Sequence, residues 1–258
     1  MARATKRDIY ASYGINYENG KIESPIGYIP ELLINGNAKL GKGVWTFSTL
    51  PGTKEYSVNI NGTEYTVKGT CACDCIGCYA QSGFYRMTST INALAIRTII
   101  ARDYLDFMCR AIMAQIKADN IKLLRIHASG DFFSLAYVNA WHEIAEHCNF
   151  CVFWSYTKVQ MFESMFGDLV NVNIVKSIVP ECGFNFGHCG YIIETYQKLL
   201  GLKKTVHICK CGVDKNQHCV NCKGCSENEY VLFIEHSTAY KAEHDPNYQT
   251  LVNLINQQ

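Results

Sequence analysis

Leu124-Arg125-Ile126-His127-Ala128-Ser129-Gly130-Asp131-Phe132-Phe133-Ser134 decides how this chain is read, because it runs from a short apolar strand through a glycine-containing loop to a helix start. Ser134 is placed to cap a helix over Leu135 to Cys148. The turn presents backbone N–H groups and one carboxylate, that of Asp131, beyond the end of the strand. On the residues alone Asp131 has two readings, an acceptor for an ammonium or ribose, or a cap for the next helix.

The same unit recurs outward from this stretch. Strands are expected over Ile121 to Ile126, Phe150 to Trp154, Val170 to Val175, Thr205 to Ile208 and Val231 to Ile234. Helices are expected over Ser89 to Asp119, Leu135 to Cys148, Val159 to Phe166 and Tyr191 to Leu200. Near-continuous apolar strands such as Val231-Leu232-Phe233-Ile234 suit a parallel sheet covered on both faces. Ahead of them, Tyr56 to Ile60 and Thr63 to Val67 flank Asn61-Gly62, the strongest short-range hairpin signal. Counting the strand before the first cysteines gives about six β/α units, fewer than a closed barrel needs. The expected class is α/β, a partial (β/α)6 TIM-like barrel. Residues 1–62 form an N-terminal extension with the β-hairpin, 63–240 the barrel with a cysteine-rich insertion at 207–226, and 241–258 a tail.

Such folds place their sites at the C-terminal strand ends. Those ends carry a cysteine loop, then His127 to Asp131, Tyr156 to Lys158, Ser177, the cysteines from Cys209, and His236. Lys158 could neutralise a carboxylate or phosphate, or open a helix in solvent. His127 reads as a proton donor or ligand, or as a hydrogen-bonded core residue.

Fourteen cysteines among 258 residues are too many for ordinary structural use in a protein expected to stay in the cytosol, where clustered thiolates point to metal rather than to the alternative, a secreted disulfide framework. Cys71, Cys73, Cys75 and Cys78 lie on one loop, and Cys71, Cys75 and Cys78 have the spacing C-x3-C-x2-C. Such short spacers let one loop wrap a [4Fe-4S] cubane, with one iron open if Cys73 is not a ligand. Cys209, Cys211, Cys219, Cys222 and Cys225 form a second group, in which Cys219, Cys222 and Cys225 with Cys209 or Cys211 make a four-sulfur site. Tetrathiolate ligation there suits a second iron–sulfur cluster or zinc equally, with His207 and His218 as substitutes.

Net charge is +1, so there is no global electrostatic footprint for nucleic acid, although 16 Tyr, 12 Phe and 3 Trp could supply stacking surfaces. The polar start, Met1 to Asp8, leads into no apolar segment, and no run of about eighteen apolar residues occurs. No membrane association and a cytoplasmic location are expected.

The C-x3-C-x2-C spacing resembles that of the radical S-adenosylmethionine (SAM) superfamily. Asn37-Ala-Lys39-Leu40-Gly41, Cys75-x-x-Cys78-Tyr79-Ala80, Arg125 to Phe132, Tyr137 with Trp141, Phe153 to Lys158, Cys219-x-x-Cys222-x-x-Cys225 and Glu235-His236 together resemble the phage gene product 88 family. Two features depart from the superfamily pattern, the extra Cys73 and Gly77 where an aromatic is common. The resemblance implies a partial barrel of radical SAM type, an open iron on the first cluster that binds SAM, and a second cluster as auxiliary centre. It places Ser129, Gly130 and Asp131 where the SAM amino group is held, adds Tyr156 and Lys158 to the site, and implies a reductant protein, an unknown substrate and, for a phage product, the host cytoplasm. The alternative is a non-catalytic phage metal protein that binds nucleic acid or a host protein.

Overall fold

The computed structural model describes residues 4–36, 40–74, 78–176, 186–210, 213–214, 216–234 and 241–258. Helix α1 (Lys6–Ser12) starts at Thr5, whose hydroxyl oxygen accepts from Asp8 N while the Asp8 carboxylate accepts from Thr5 N, a reciprocal cap. Tyr10 of α1 stacks at 4.9 Å on Tyr17 of a small antiparallel meander, β1 (Tyr17–Glu18), β2 (Lys21–Ser24) and β3 (Gly27–Pro30). Asn19 and Gly20, both at positive φ, make the first turn.

The central sheet contains β4 (Ile34–Asn35), β5 (Val44–Phe47) and three strands that lie beyond the hairpin β6 (Glu55–Ile60) and β7 (Thr63–Lys68). After the hairpin come α2 (Thr88–Asp103), α3 (Leu105–Ala118), β8 (Leu123–Ile126), α4 (Leu135–His147), β9 (Val152–Thr157), α5 (Gln160–Glu163) and β10 (Val172–Lys176). The order across the sheet is β10-β9-β8-β5-β4, parallel except for the antiparallel edge strand β4. The hairpin forms at Asn61-Gly62, with Ile60 opposite Thr63, but stands as a sheet of its own. The first parallel strand is therefore β5, not the hairpin strand that precedes the cysteine loop. The long helix expected over Ser89 to Asp119 is broken at Tyr104, which leaves the helical region at φ −140° and ψ 51°. No Gly or Pro causes this break. It lets α2 pack on the hairpin while α3 turns to pack on α1 and α4.

Alternation along the strands gives each face of the sheet its own cover. Phe47, Leu124, Ile126 and Phe153 point into the main core with the apolar faces of α2, α3 and α4, and Phe47 meets Trp141 of α4 edge-on at 5.3 Å. Val44, Leu123, Trp154 and Tyr156 point the other way, against Cys219 and Cys225. The cysteine-rich segment thus takes the place a second helical layer would occupy.

A second parallel sheet follows, with β11 (Phe186–Gly187), α6 (Cys189–Gly201), β12 (Val206–Ile208), α7 (Gly224–Glu227), β13 (Tyr230–Ile234) and α8 (Tyr248–Asn256) in chain order. Its strands run β11-β13-β12, and Ile192, Ile208, Leu232, Ile234, Leu251 and Ile255 give it a core of its own. The two sheets meet where Lys176 N donates to Glu229 O at 2.9 Å. Lys176 and Lys204 both pair with the Glu229 carboxylate beside that contact. Among the described residues no closed barrel forms, and no helix is long and apolar enough to cross a membrane.

Candidate metal centres

The C-terminal ends of β5 and β8 are tied together beneath the first cysteine loop. Ser129 Oγ donates to Thr49 O at 2.8 Å, and Thr49 N donates to Ser129 O at 3.1 Å. The Thr49 and Thr70 hydroxyls lie 2.8 Å apart, and Asp131 N donates to Thr70 Oγ1 at 3.2 Å. Between them Gly130 sits at φ +82°, where a Cβ would lie 1.9 Å from Thr49 Oγ1. Only glycine permits this approach.

Asp131 is buried and its carboxylate is occupied. It accepts from Phe132 N at 2.7 Å, Thr157 Oγ1 at 2.8 Å and Lys158 N at 3.0 Å. Burial raises its pKa from the usual carboxylate value to about 6, against the lowering effect of those donors and of the Lys158 charge. These contacts fill three of about four lone-pair positions, so Asp131 joins the end of β9 to the β8 loop. The cap of α4 is Ser134, which accepts from Tyr137 N. Lys158 reaches this cluster through its backbone N–H.

His127 is buried on the helical side of the sheet at φ +61°. Its Nε2 is 2.8 Å from Tyr137 OH, its ring meets Phe132 edge-on at 4.7 Å, and its Nδ1 has no hydrogen-bond partner. Burial, assisted by Arg125, lowers its pKa to about 3, which keeps the ring neutral. Tyr156 also leaves the loop end, for the opposite face. Its hydroxyl donates to Cys225 Sγ at 2.7 Å, which puts it with the second cysteine group.

The first cysteine loop is fastened at both ends. Cys71 N donates to Gly52 O at 3.2 Å, and Thr70 N to Leu50 O at 2.9 Å. The Asp74 carboxylate accepts from Thr53 and from Gln81 Nε2, and these bonds lower its pKa. Beyond Cys78, the Tyr79 hydroxyl donates to Ala128 O, at the end of β8. Cys71 and Cys78 are half-buried, and Cys73 is disulfide-bonded, so in this form it is no thiolate donor. Cys75, the middle member of the spacing, lies outside the described residues, as do Cys211, Ser177 and His236.

The second group lies over the sheet face. Cys209, Cys219, Cys222 and Cys225 line one cavity of about 100 Å³ with His207, Leu123, Trp154, Val220, Lys223 and Ser226. None of the four is in a disulfide. Asn173 Nδ2 donates to the carbonyls of Cys225 and Asn228, and Val220 N to Leu40 O, which dock the segment on β10 and on the chain before β5. Burial pushes the Cys225 thiol up to about 12, in opposition to the hydrogen bond from Tyr156. Sequence reasoning passed over Arg125, whose guanidinium lies 5.0 Å from the Tyr156 ring centroid and whose Nη2 is 3.4 Å from Tyr79 OH. Among the described residues, no three His, Cys, Asp or Glu side chains already stand close enough together to hold a metal ion.

Parallel strands, helices on one face and cysteines at one end and on the other face define an α/β protein with two thiol-rich loops. Residues 31–179, more than half of the chain, match the family described as Gene product 88, and the chain belongs to that family. It is similar to the Gene 88 protein of Mycobacterium phage D29, with 51% identity over 39 residues. That match covers 15% of this chain and 16% of the phage protein. No solved structure matches the chain.

Proposed function

We propose that this protein is an iron–sulfur enzyme of radical SAM type, with its reactive cluster on Cys71, Cys75 and Cys78. One observation carries the reading. The loop bearing Cys71 and Cys78 is bound, through Thr70 and Tyr79, to the Ala128 to Asp131 loop at the C-terminal end of β8. That is where a β/α protein assembles a site from several strand ends. The partial (β/α)6 barrel belongs to the same proposal, supported by the Lys176–Glu229 backbone contact between the two sheets. Cys71, Cys75 and Cys78 would hold the cluster, which would supply one-electron reduction of SAM to methionine and a 5′-deoxyadenosyl radical, the electron coming from a reductant protein and the radical serving an unknown substrate. Ser129 and Asp131 act as positioning residues that fix the β5, β8 and β9 ends, and Lys158 stands beside them as a cation for a carboxylate. Cys73 takes part as a ligand only after its disulfide is reduced.

The test is anaerobic reconstitution with iron and sulfide, an iron count per chain, then SAM with a chemical reductant. Methionine and 5′-deoxyadenosine are expected, in amounts that fall at least tenfold in C78A. A reconstituted cluster whose spectrum ignores SAM and which yields neither product overturns the reading. A specific observation favours the alternative, a non-catalytic metal protein acting on nucleic acid or a host protein. Tyr79, Phe84 and Met87 are 55%, 82% and 51% exposed beside the cysteine loop, an apolar patch suited to a partner.

A further inference from the structure

We infer that Cys209, Cys219, Cys222 and Cys225 form a separate tetrathiolate metal site, sealed against the sheet, whose negative charge is offset by Arg125. This inference does not rest on SAM chemistry at the first loop.

The four sulfurs come from two stretches of chain that meet around one cavity, which Leu123, Trp154 and Val220 wall with apolar surface. Ionised without a cation, four thiolates around one small cavity would repel one another. A thiophilic cation removes that repulsion by taking the place of the protons. The sulfurs line the cavity without standing at ligand distance, so binding draws the one-turn helix α7 and its flanks inward. Metal sites in segments with little core of their own behave in this way.

His207 fits a supporting position. Its Nε2 is 3.7 Å from Cys222 Sγ, and its ring lies so close to Gly224 that a Cβ there would be 2.1 Å from His207 Cδ2. In the tautomer with a proton on Nε2 it donates to the Cys222 thiolate and is not itself a ligand. The spacing Cys222-Lys223-Gly224-Cys225 thus uses glycine to seat the ring.

A divalent metal on four thiolates carries net negative charge, and a buried anion needs a cation. Arg125 is a half-buried cation on this face, whereas Lys223 of the cavity lining is exposed and pairs with Glu227. It projects from β8 opposite Trp154 of β9, a wall of the cavity, and lies over the ring of Tyr156, whose hydroxyl donates to Cys225. Its Nε is buried without a hydrogen-bond partner. The groups that act on it most strongly, after the opposing effect of burial, are Tyr79, Tyr156, Cys225 and Cys219, not carboxylates. Arg125 is a guanidinium waiting for an anion, and the tetrathiolate is that anion.

Zinc(II) and an iron–sulfide cluster share this ligand chemistry, so the test has two arms. The reduced full-length chain is incubated anaerobically with zinc(II) alone, or with ferrous iron and sulfide. It is then pulse-alkylated and each cysteine is read by mass spectrometry. Cys209, Cys219, Cys222 and Cys225 are expected to be protected at least tenfold in one arm, with the buried Cys109, Cys148 and Cys151 unreactive throughout as references. Protection of none of the four in either arm, or of a set in which Cys211 replaces Cys209, overturns the assignment. Arg125→Gln is expected to lower metal affinity about tenfold or more without changing the protected set, and R125K to recover part of the loss. An R125Q chain with wild-type affinity overturns the role given to Arg125. The SAM reading stands or falls on its own products, whichever cysteines are protected here.

Discussion

The two cysteine groups differ in what surrounds them more than in their spacing. The first sits on a loop at the end of the sheet, half-buried, tied down at Thr70, Asp74 and Tyr79 but with its sulfurs near exposed aromatic residues. The second lies along the face of the sheet under Trp154, Leu123 and Val220, with Tyr156 hydrogen-bonded to one sulfur. Close cysteines give both groups the chemistry to wrap a metal. On the metal readings proposed above, their settings would divide the work between them, since a centre at an open end could meet a ligand while one pressed on a sheet face would hold structure together or store charge.

The largest effect should come from breaking the support of the first group. Gly130→Ala places a Cβ 1.9 Å from Thr49 Oγ1 and 2.6 Å from Thr70 Oγ1, at a φ of +82°. A loss of roughly 3–5 kcal/mol is expected, read by chemical denaturation. Next is the pH response of Asp131. Its folded pKa of about 6 lies above the ordinary value of 3.8, so the native state holds the extra proton between those values and stability falls as pH rises through them. Between pH 3.8 and pH 7 the wild type should lose about 3 kcal/mol relative to D131N, measured by denaturation at each pH. Parallel pH curves for the two chains would show that burial does not govern this carboxyl.

The second group is probed more gently. Gly224→Ala meets the His207 ring at 2.1 Å and should cost about 1–3 kcal/mol, with loss of metal protection at Cys222 and Cys225 but not of the fold. If G130A and G224A have the same effect on both groups, the two are one cooperative unit and the contrast drawn between them fails. The smallest effect is expected for Tyr156→Phe, which removes one hydrogen bond to sulfur and should cost about 1 kcal/mol, seen as a several-fold weaker metal affinity.

Strands β8, β9, β10, β12 and β13 were legible because each is a short apolar run between polar turns, and Ser134 announced α4, whereas the two-residue β11 carries no such signal. β5 was not, since Val44 to Phe47 is only four residues long and follows a stretch with no period. The hairpin, ending just before Cys71, looked like the first strand of the sheet. The helix break at Tyr104 has no local signal because packing on the hairpin on one side and on α4 on the other imposes it. Site residues divided in a similar way. Gly130 and the cysteines could be read from residue type, but the role of Arg125 depends on Tyr79, Tyr156 and Cys225, which come from distant segments. Parity along the strands would have separated Tyr156 from Asp131, because Trp154 and Tyr156 share a face with Arg125 while Phe153 and Ser155 face the helices.

One detail of the second sheet bears on when metal can enter. β12 and β13 are parallel neighbours, Ile208 beside Leu232, and Cys209 N donates to Leu232 O at 2.8 Å. Residues 209–229 are therefore an excursion whose two ends the sheet has already brought together. For a flexible chain, joining the ends of a loop is an entropic cost that changes by only about 0.6 kcal/mol with each doubling of length. Here the strands meet that cost before any ion arrives. The same stretch as a free peptide would have to meet it through the metal alone, so the intact protein should scavenge scarce ions that the peptide leaves in solution, and should do so only after its C-terminal strand has been synthesised and docked.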